Sequence, residues 1–329
     1  MLKEDAMKTK AVFSGLANLA MATAALGAWT FEGKWGVPGW GNGEFQYPKD
    51  VAFAATTGRV YVVDRSNFRI QYFTATGSYL GQWGSNGSGN NQFQDPYGIA
   101  VAPNGNVYVT DWGLDCVKRF TPTGSYLGQW GTGGSGNGQF NNPGGIATVA
   151  SGTVYVVDIG NNRVQYFTAA GSYLGRWGST GAGNGQFDEP LDASVAPGGN
   201  VYVTDGANSR VQYFSADGNY RGKWGTSGLE NGQFHYPCGV AIAPGGNVVV
   251  SDINNQRIQY FTATGSFLEK WGSYGAGDGE FNFPWGICLN TTGSRVYVAD
   301  WGNHRIQYFN RNQPAIAPSS LGRVKVLFK

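Results

Sequence analysis

The sequence predicts an all-β protein, a six-bladed β-propeller with four-stranded blades, and three observations carry that prediction. A block running from a Gly-Asn-Gly-Gln-Phe-like loop to Tyr-Leu-Gly-x-Trp-Gly recurs along the chain. Its marker residues are Phe45, Phe93, Phe140, Phe187, Phe234 and Phe281, 48 residues apart once and 47 thereafter. Within each block, short apolar runs alternate with Asn-Gly and Thr-Gly dipeptides, which supply the positive backbone angles of tight hairpins. A period of about 40 to 50 residues built from short strands marks a propeller blade, whereas helical repeats of that length show a 3.6-residue apolar period. Third, the last block lacks its closing Tyr-Leu-Gly-x-Trp-Gly strand, and Phe31 to Gly36 near the start supplies a match.

In chain order, residues 1–28 stand apart from the repeats. Met7-Lys8-Thr9-Lys10 is a basic start, Ala11 to Leu26 is apolar, and Ala22-Thr23-Ala24 or Leu26-Gly27-Ala28 offers a small-residue cleavage site. This resembles a secretory signal peptide; the alternative is an uncleaved N-terminal anchor, the only expected membrane contact. The expected location is therefore secreted or cell-surface. Residues 29–310 form the ring. In its second blade the expected strands are Gly98 to Pro103, Asn106 to Asp111, Val117 to Thr121 and Tyr126 to Trp130, with small residues in the first strand and a bulky Trp in the last. Trp83, Trp130, Trp177, Trp224 and Trp271 repeat that outer position, as a wedge narrow at the axis and wide at the rim requires. Borrowing the N-terminal strand for the last blade closes the ring and removes open sheet edges. Residues 311–329 form a tail, in which the alternation from Arg323 to Lys329 suits an extra edge strand.

Composition fits this reading: 53 glycines, 15% aromatic and only 13% charged residues suit turns and wedge packing. The net charge of +2 is set by the ends. Setting aside Lys3, Lys8, Lys10, Glu4 and Asp5 of the leader and Arg311, Arg323, Lys325 and Lys329 of the tail leaves 16 basic and 19 acidic residues. A ring of net −3 is a poor footprint for nucleic acid. Cys116, Cys238 and Cys288 have no metal-ligand spacing and no disulfide framework.

Five blocks carry Asp-x-x-Asn-x-Arg between their second and third strands: Asp64/Asn67/Arg69, Asp158/Asn161/Arg163, Asp205/Asn208/Arg210, Asp252/Asn255/Arg257 and Asp300/Asn303/Arg305. With Pro-x-Gly-Ile-Ala-Val and Asn-Val-Tyr-Val-x-Asp in the same order, the sequence resembles the NHL-repeat β-propellers over about residues 30–310. The resemblance implies a fold and no single function. Groups repeated around a ring belong to the scaffold, so Asp and Asn are expected to order a turn and Arg to pair with Asp.

Function is then sought where the copies differ. On the face built from inter-blade loops and second-to-third-strand loops, blades 6, 1 and 2 bring Tyr47, Arg65, Phe68, Tyr97, Trp112, Trp285, Trp301 and His304, with Phe283 and, from blade 5, Tyr236. Blades 3 and 4 offer Asn142, Gly144, Gly160, Leu191, Gly206 and Ala207 instead. A lopsided aromatic face suits docking of a protein, peptide or carbohydrate; the other reading is that these rings fill gaps between blades. Blade 2 departs furthest, with Leu114 and Cys116 at the Asn and Arg positions. There Asp95, Asp111 and Asp115 would suit a hard cation such as Ca²⁺, or Lys118 or Arg119 compensates. At the channel mouth, Asp50 and Asp192 replace a glycine in opposite blades; they flank a cation or polar ligand, or each caps its own loop.

Propeller enzymes set the competing class. Amidating lyases that resemble NHL proteins hold a metal with several histidines, and lactonase-like propellers use a Glu/Asn/Asp calcium centre. Only His235 and His304 are present, and no nucleophile stands beside a base. The sequence therefore points to a non-enzymatic extracytoplasmic binding or scaffold module with no expected cofactor. The alternative is a propeller hydrolase or lyase with oxygen-ligated Ca²⁺ near the central channel.

Overall fold

The protein, seen in a computed structural model that describes residues 27–311, forms six four-stranded antiparallel sheets. Each blade begins at a repeat proline next to the axis and runs outward. Blade 1 comprises Pro48–Ala54, Arg59–Asp64, Arg69–Phe73 and Tyr79–Trp83, and blade 2 comprises Pro96–Val101, Val107–Asp111, Cys116–Phe120 and Tyr126–Trp130. Blades 3, 4 and 5 repeat this order from Pro143, Pro190 and Pro237. Blade 6 joins Pro284–Leu289, Arg295–Asp300 and Arg305–Arg311 to the N-terminal strand Trp29–Trp35. The ring closes as the sequence predicts. The leader and the tail, apart from Gly27, Ala28 and Arg311, lie outside the described residues.

Inner strands start two residues earlier than expected. Pro96 pairs with Asp111 and the register then shifts to Ile99 opposite Val109. The same shift follows the proline of every blade. The inner strand thus carries one residue more than its partner there, as in a β-bulge, which bends the strand at the channel mouth.

Blades adhere through three repeated contacts. The marker phenylalanines are fully buried. Five of the six outer-strand Trp residues lie on a glycine in the hairpin turn of the next blade: at Gly124 (φ +93°), a Cβ would sit 2.6 Å from the Trp83 ring, so that position admits only glycine. A second-strand tyrosine donates its hydroxyl to the same turn, as in Tyr61 to Pro122 O at 2.9 Å and Tyr108 to Ala169 O at 3.1 Å. Tyr297 of blade 6 reaches Ala75 O of blade 1 in the same way and completes the circle.

The seam between blades 5 and 6 is built differently, because the N-terminal strand enters there. Blade 5 has Val249 in place of the tyrosine, and among the described residues no hairpin turn of blade 6 meets Trp271. Trp29 stacks on Trp271 at 5.5 Å, and its backbone N–H donates to Glu269 Oε1 at 2.9 Å. Arg311 Nη1 donates to the Tyr260 hydroxyl at 2.6 Å. The three cysteines are free thiols. Trp29 is buried at this closure, so Trp29→Ala should cost about 3–5 kcal/mol of stability. Trp40→Ala, at a ring 79% exposed, should stay within about 0.5 kcal/mol. Denaturant midpoints of the two variants check this, and equal midpoints would refute the closure role.

Candidate functional site

The face that carries the candidate residues is held by a buried clamp. In blade 1, Arg69 Nε donates to Asp64 Oδ2 at 2.6 Å, and its other nitrogens take the carbonyls of Trp40, Gly41 and Glu44. Asn67 and Gln71 donate to the same Asp64 oxygen, and its other oxygen accepts the Gln46 N–H. The carboxylate is saturated, and so is the guanidinium. Asp158–Arg163, Asp205–Arg210, Asp252–Arg257 and Asp300–Arg305 repeat the pair at 2.6–2.8 Å. The scaffold role expected for this motif is what the geometry gives.

The clamped loops set two left-handed residues at five of the six seams; at the seam between blades 1 and 2 only Phe68 is left-handed. Tyr47 (φ 55°) and Phe283 (φ 55°) precede repeat prolines, and Phe68 (φ 55°) and His304 (φ 54°) precede the clamp arginines. The backbone cost is met across the seam: Tyr47 N–H donates to His304 Nδ1 at 3.2 Å, Phe283 N–H to Gln256 Oε1 at 2.6 Å, and Glu189 N–H to Asn162 Oδ1 at 2.9 Å. A glycine would supply the angle but not the acceptor. Between blades 1 and 2, where Phe68 cannot accept, Arg65 forms a bidentate pair with Asp95 at 2.5 and 2.7 Å.

Around these anchors the expected aromatic residues form one continuous crescent. Tyr47 lies 4.5 Å from Trp301 and 4.4 Å from His304; Phe283 and Trp285 flank Trp301 at 6.1 and 6.3 Å. Tyr97 links Trp285 at 6.4 Å to Trp112 at 6.2 Å, and Arg65 caps Trp112. Two expected members turn inward: Tyr97 is buried, and Phe68 packs on the core between blades 1 and 2. Tyr47 and Phe283 are the most open, each 37% exposed. Sequence reasoning missed Lys49. Lys49 could have been found, because it is the one cation at the ring position after the repeat proline, where Tyr97, Gly144, Leu191, Cys238 and Trp285 are its counterparts.

Those same positions plug the channel at this face. Beneath the plug, Asp50 and Asp192 meet in a space of about 10 Å³, room for one water molecule. Each carboxylate ties its own blade to the next: Asp50 accepts from Val51 N–H and Ile99 N–H, and Asp192 from Ala193 N–H and Val240 N–H, all at 2.8–2.9 Å. Each also fills the gap over a glycine of the preceding blade, Gly286 and Gly145. Below them the channel widens into a cavity of about 820 Å³ lined largely by aliphatic residues. Burial pushes the Asp192 carboxyl up to about 7 and raises Asp50 well above the usual carboxylate range, with Asp192 adding like-charge repulsion.

The three carboxylates of blade 2 have separate partners. Asp95 pairs with Arg65, Asp111 accepts the Gln94 and Asp95 amides, and Asp115 Oδ1 accepts Asn142 N–H at 2.7 Å. Among the described residues no group of three or more His, Cys, Asp or Glu is arranged to hold a metal ion. Lys118 takes over from the missing arginine, donating to Gly89 O and Gln92 O, while Arg119 reaches Ala169 O instead.

Six radial blades with a plugged axis and one aromatic face define a six-bladed β-propeller. The sequence model of the NHL repeat matches residues 45–73, 140–167, 187–214, 234–261 and 281–309, the five repeats that keep the Asp/Asn/Arg clamp. The chain belongs to the NHL-repeat β-propellers. No curated protein matches its sequence. Among solved structures, it is similar to a protein of unknown function from Bacteroides thetaiotaomicron, with 16% identity over 87% of this chain and 76% of that one at a TM-score of 0.66. It is also similar to a streptogramin B lyase, with 14% identity over 86% and 98% of the two chains at a TM-score of 0.62. Virginiamycin B lyase from Staphylococcus aureus is 14% identical over 79% of each chain, with a TM-score of 0.55. At these identities the likeness establishes the fold.

The carboxylates at the neck give a pH prediction. Folded Asp50 and Asp192 keep protons that the unfolded chain releases near pH 3.8. Their contribution to stability is thus fully present below that pH; that of Asp192 is lost as pH rises through about 7, and that of Asp50 as pH rises through its own raised value. Wild-type protein should lose stability between those limits, and Asp50→Asn/Asp192→Asn should show a shallower decline. Parallel profiles of melting temperature against pH would remove the pair from the account.

Proposed function

We propose that this protein is a non-enzymatic binding module, working outside the cytoplasm, that docks a protein, peptide or carbohydrate partner on the crescent of blades 6, 1 and 2. The observation that carries the reading is the unbroken chain of ring contacts from Phe283 through Trp301, Trp285 and Tyr97 to Trp112, confined to one sector of one face. Aromatic rings give large contact area at low entropic cost, and they concentrate at binding hot spots. The opposite sector has Gly144, Gly160 and Gly206 at its corresponding positions and offers nothing comparable. The ring's net charge of −3 argues against a nucleic-acid partner. Work outside the cytoplasm rests on the leader sequence alone.

Trp112→Ala, Trp285→Ala and Trp301→Ala test the reading. A docking ring should lose little stability on truncation and weaken a partner by about 2 kcal/mol or more. A packing ring should instead cost about 3–5 kcal/mol of stability. Chemical denaturation separates the two before a partner is in hand, and large losses in all three variants would end the proposal. Export is tested separately: mass spectrometry of the native protein should find a chain beginning after Ala24 or Ala28, and an intact Met1 or Met7 in cytosolic material would refute it.

A further inference from the structure

Ten large apolar side chains are exposed among the described residues, and they fall into two groups. Leu80, Leu127, Leu174 and Leu268 repeat one position of the outer strands. The other six, Val37, Trp40, Tyr47, Leu229, Tyr274 and Phe283, all stand in the loops that enter blades 5, 6 and 1. The loops that enter blades 2, 3 and 4 expose none. This band overlaps the crescent, and its blade 4 end is acidic. Glu189 holds the left-handed position before the repeat proline, where the next three blades have Tyr236, Phe283 and Tyr47. Asp188 and Glu189 are exposed, and neither has an ion-pair partner among the described residues. The Tyr236 hydroxyl donates to Glu189 Oε2 at 2.7 Å, which fixes the carboxylate at the edge of that ring. Tyr236 and Trp285 pack on the same apolar cluster, so the carboxylate borders the crescent directly. The arginines of this face are engaged: Arg65 pairs with Asp95, and the clamp arginines are buried.

We propose that this face docks an amphipathic helix of a protein partner, with its apolar stripe on Tyr236, Phe283 and Tyr47 and an arginine at one end on Glu189. This rests on the crescent being a docking surface and names the partner. Charge complementarity selects the cation, because the unpaired charge at the edge of the band is carboxylate and the ring as a whole is net −3. A guanidinium can pair with Glu189 and lie on the Tyr236 ring at once, which a lysine does less well. The main chain selects the helix. The amides of Tyr47, Glu189 and Phe283 donate within the protein, and the carbonyls of Gly39, Trp40 and Gly41 accept from Asn67 and Arg69. An extended peptide would find few backbone partners, whereas a helix arrives with its own bonds made and presents side chains alone. Exposed Val37 and Leu229 favour a protein over a sugar, since aliphatic groups pack on apolar side chains and offer a pyranose no ring to stack on. The polarity of the bound helix follows, with its cation toward blade 4 and its apolar stripe over blades 6 and 1.

Panning the full chain with a library displayed on a three-helix bundle, one helix face randomised, tests this. Binders that lose capture on Phe283→Ala are sequenced. Their randomised positions should be enriched in Arg and apolar residues over the unselected library and depleted in Asp and Glu. Glu189→Gln, which keeps an acceptor for the Tyr236 hydroxyl, should weaken these binders by about ten-fold or more. Denaturation midpoints check the fold of both variants, and library composition reads the charge preference without either substitution at Glu189. Phe283-dependent binders that are acidic or charge-balanced, or unchanged affinity for folded Glu189→Gln, would overturn the arginine pairing. Absence of Phe283-dependent binders would overturn the helix. Binding of neutral oligosaccharides from an immobilised set, lost in the same way on Phe283→Ala, would assign the face to a sugar instead. The docking reading itself is decided independently by the stability of the Trp variants.

Discussion

The saturated Asp–Arg clamp is the constraint on which the rest of this ring depends. A buried ion pair adds little net stability compared with apolar packing, but removing one partner strands a charge and costs about 3–5 kcal/mol. Here neither ion is left wanting. Asp64 accepts from an arginine, an asparagine, a glutamine and a main-chain amide, and Arg69 spends its remaining donors on three carbonyls of the loop that enters the same blade and on Gln82 Oε1. The consequence is geometric. A loop rich in glycine, with little apolar surface of its own, is fixed to the sheet by charge-assisted bonds. Its last residue before the proline is thereby held in the left-handed region, where its side chain and the one facing it across the seam share that one face.

Blade 2 shows how much of this clamp can change before the fold does. With Cys116 at the arginine position, Lys118 enters from the neighbouring glutamine position and reaches Gly89 O and Gln92 O, the counterparts of Gly41 O and Glu44 O in blade 1. A point charge with three donors replaces the planar fork, and carbonyl contact survives while the direct Asp–Arg bond is lost. The seam on either side is reinforced by other means, through Arg65–Asp95 and through Asp115 on the Asn142 amide. Asp95 and Asp115 thus tie a divergent blade to its neighbours, while Asp111 keeps the repeat position and binds the entering loop of its own blade.

What the sequence disclosed, and what it hid, follows from the same division between repeat and exception. The blade count, the closing strand and the Asp–Arg pairing were legible because each is a periodic feature, and six copies restate the same side-chain requirement. The gathering of Tyr47, Trp301, Trp285 and Trp112 on one face was legible from their loop positions. The orientation of a single ring was not. Tyr97 and Phe68 occupy the expected loops but turn into the seams, since the gaps between blades, which no repeat alignment describes, decide where a large side chain fits. Asp50 and Asp192 were recognised as replacements for glycine, yet their bonds to Ile99 and Val240 cross into the next blade and have no local signature. Lys49 escaped notice because a cation after proline reads as a solvated residue until the ring shows it enclosed.

The departures from the repeat fall into two kinds. Where a departure restores a lost bond, as with Lys118, Arg65 and the Trp29–Trp271 stack, it answers to the ring and needs no partner. Phe283, Trp285, Trp301 and Tyr47 restore nothing that the smaller residues of blades 3 and 4 fail to supply, since those blades close equally well with Asn142, Gly144 and Gly160. Tyr47 and Phe283 stand in left-handed backbone where asparagine suffices in blade 3 and is the easier residue to hold there. These rings are partly open to water and in contact with one another, and the left-handed backbone of Tyr47 and Phe283 is supported across the seam by His304 and Gln256. Beneath them sits a buried amine without an oxygen partner. Both features fall in the same sector of the same face.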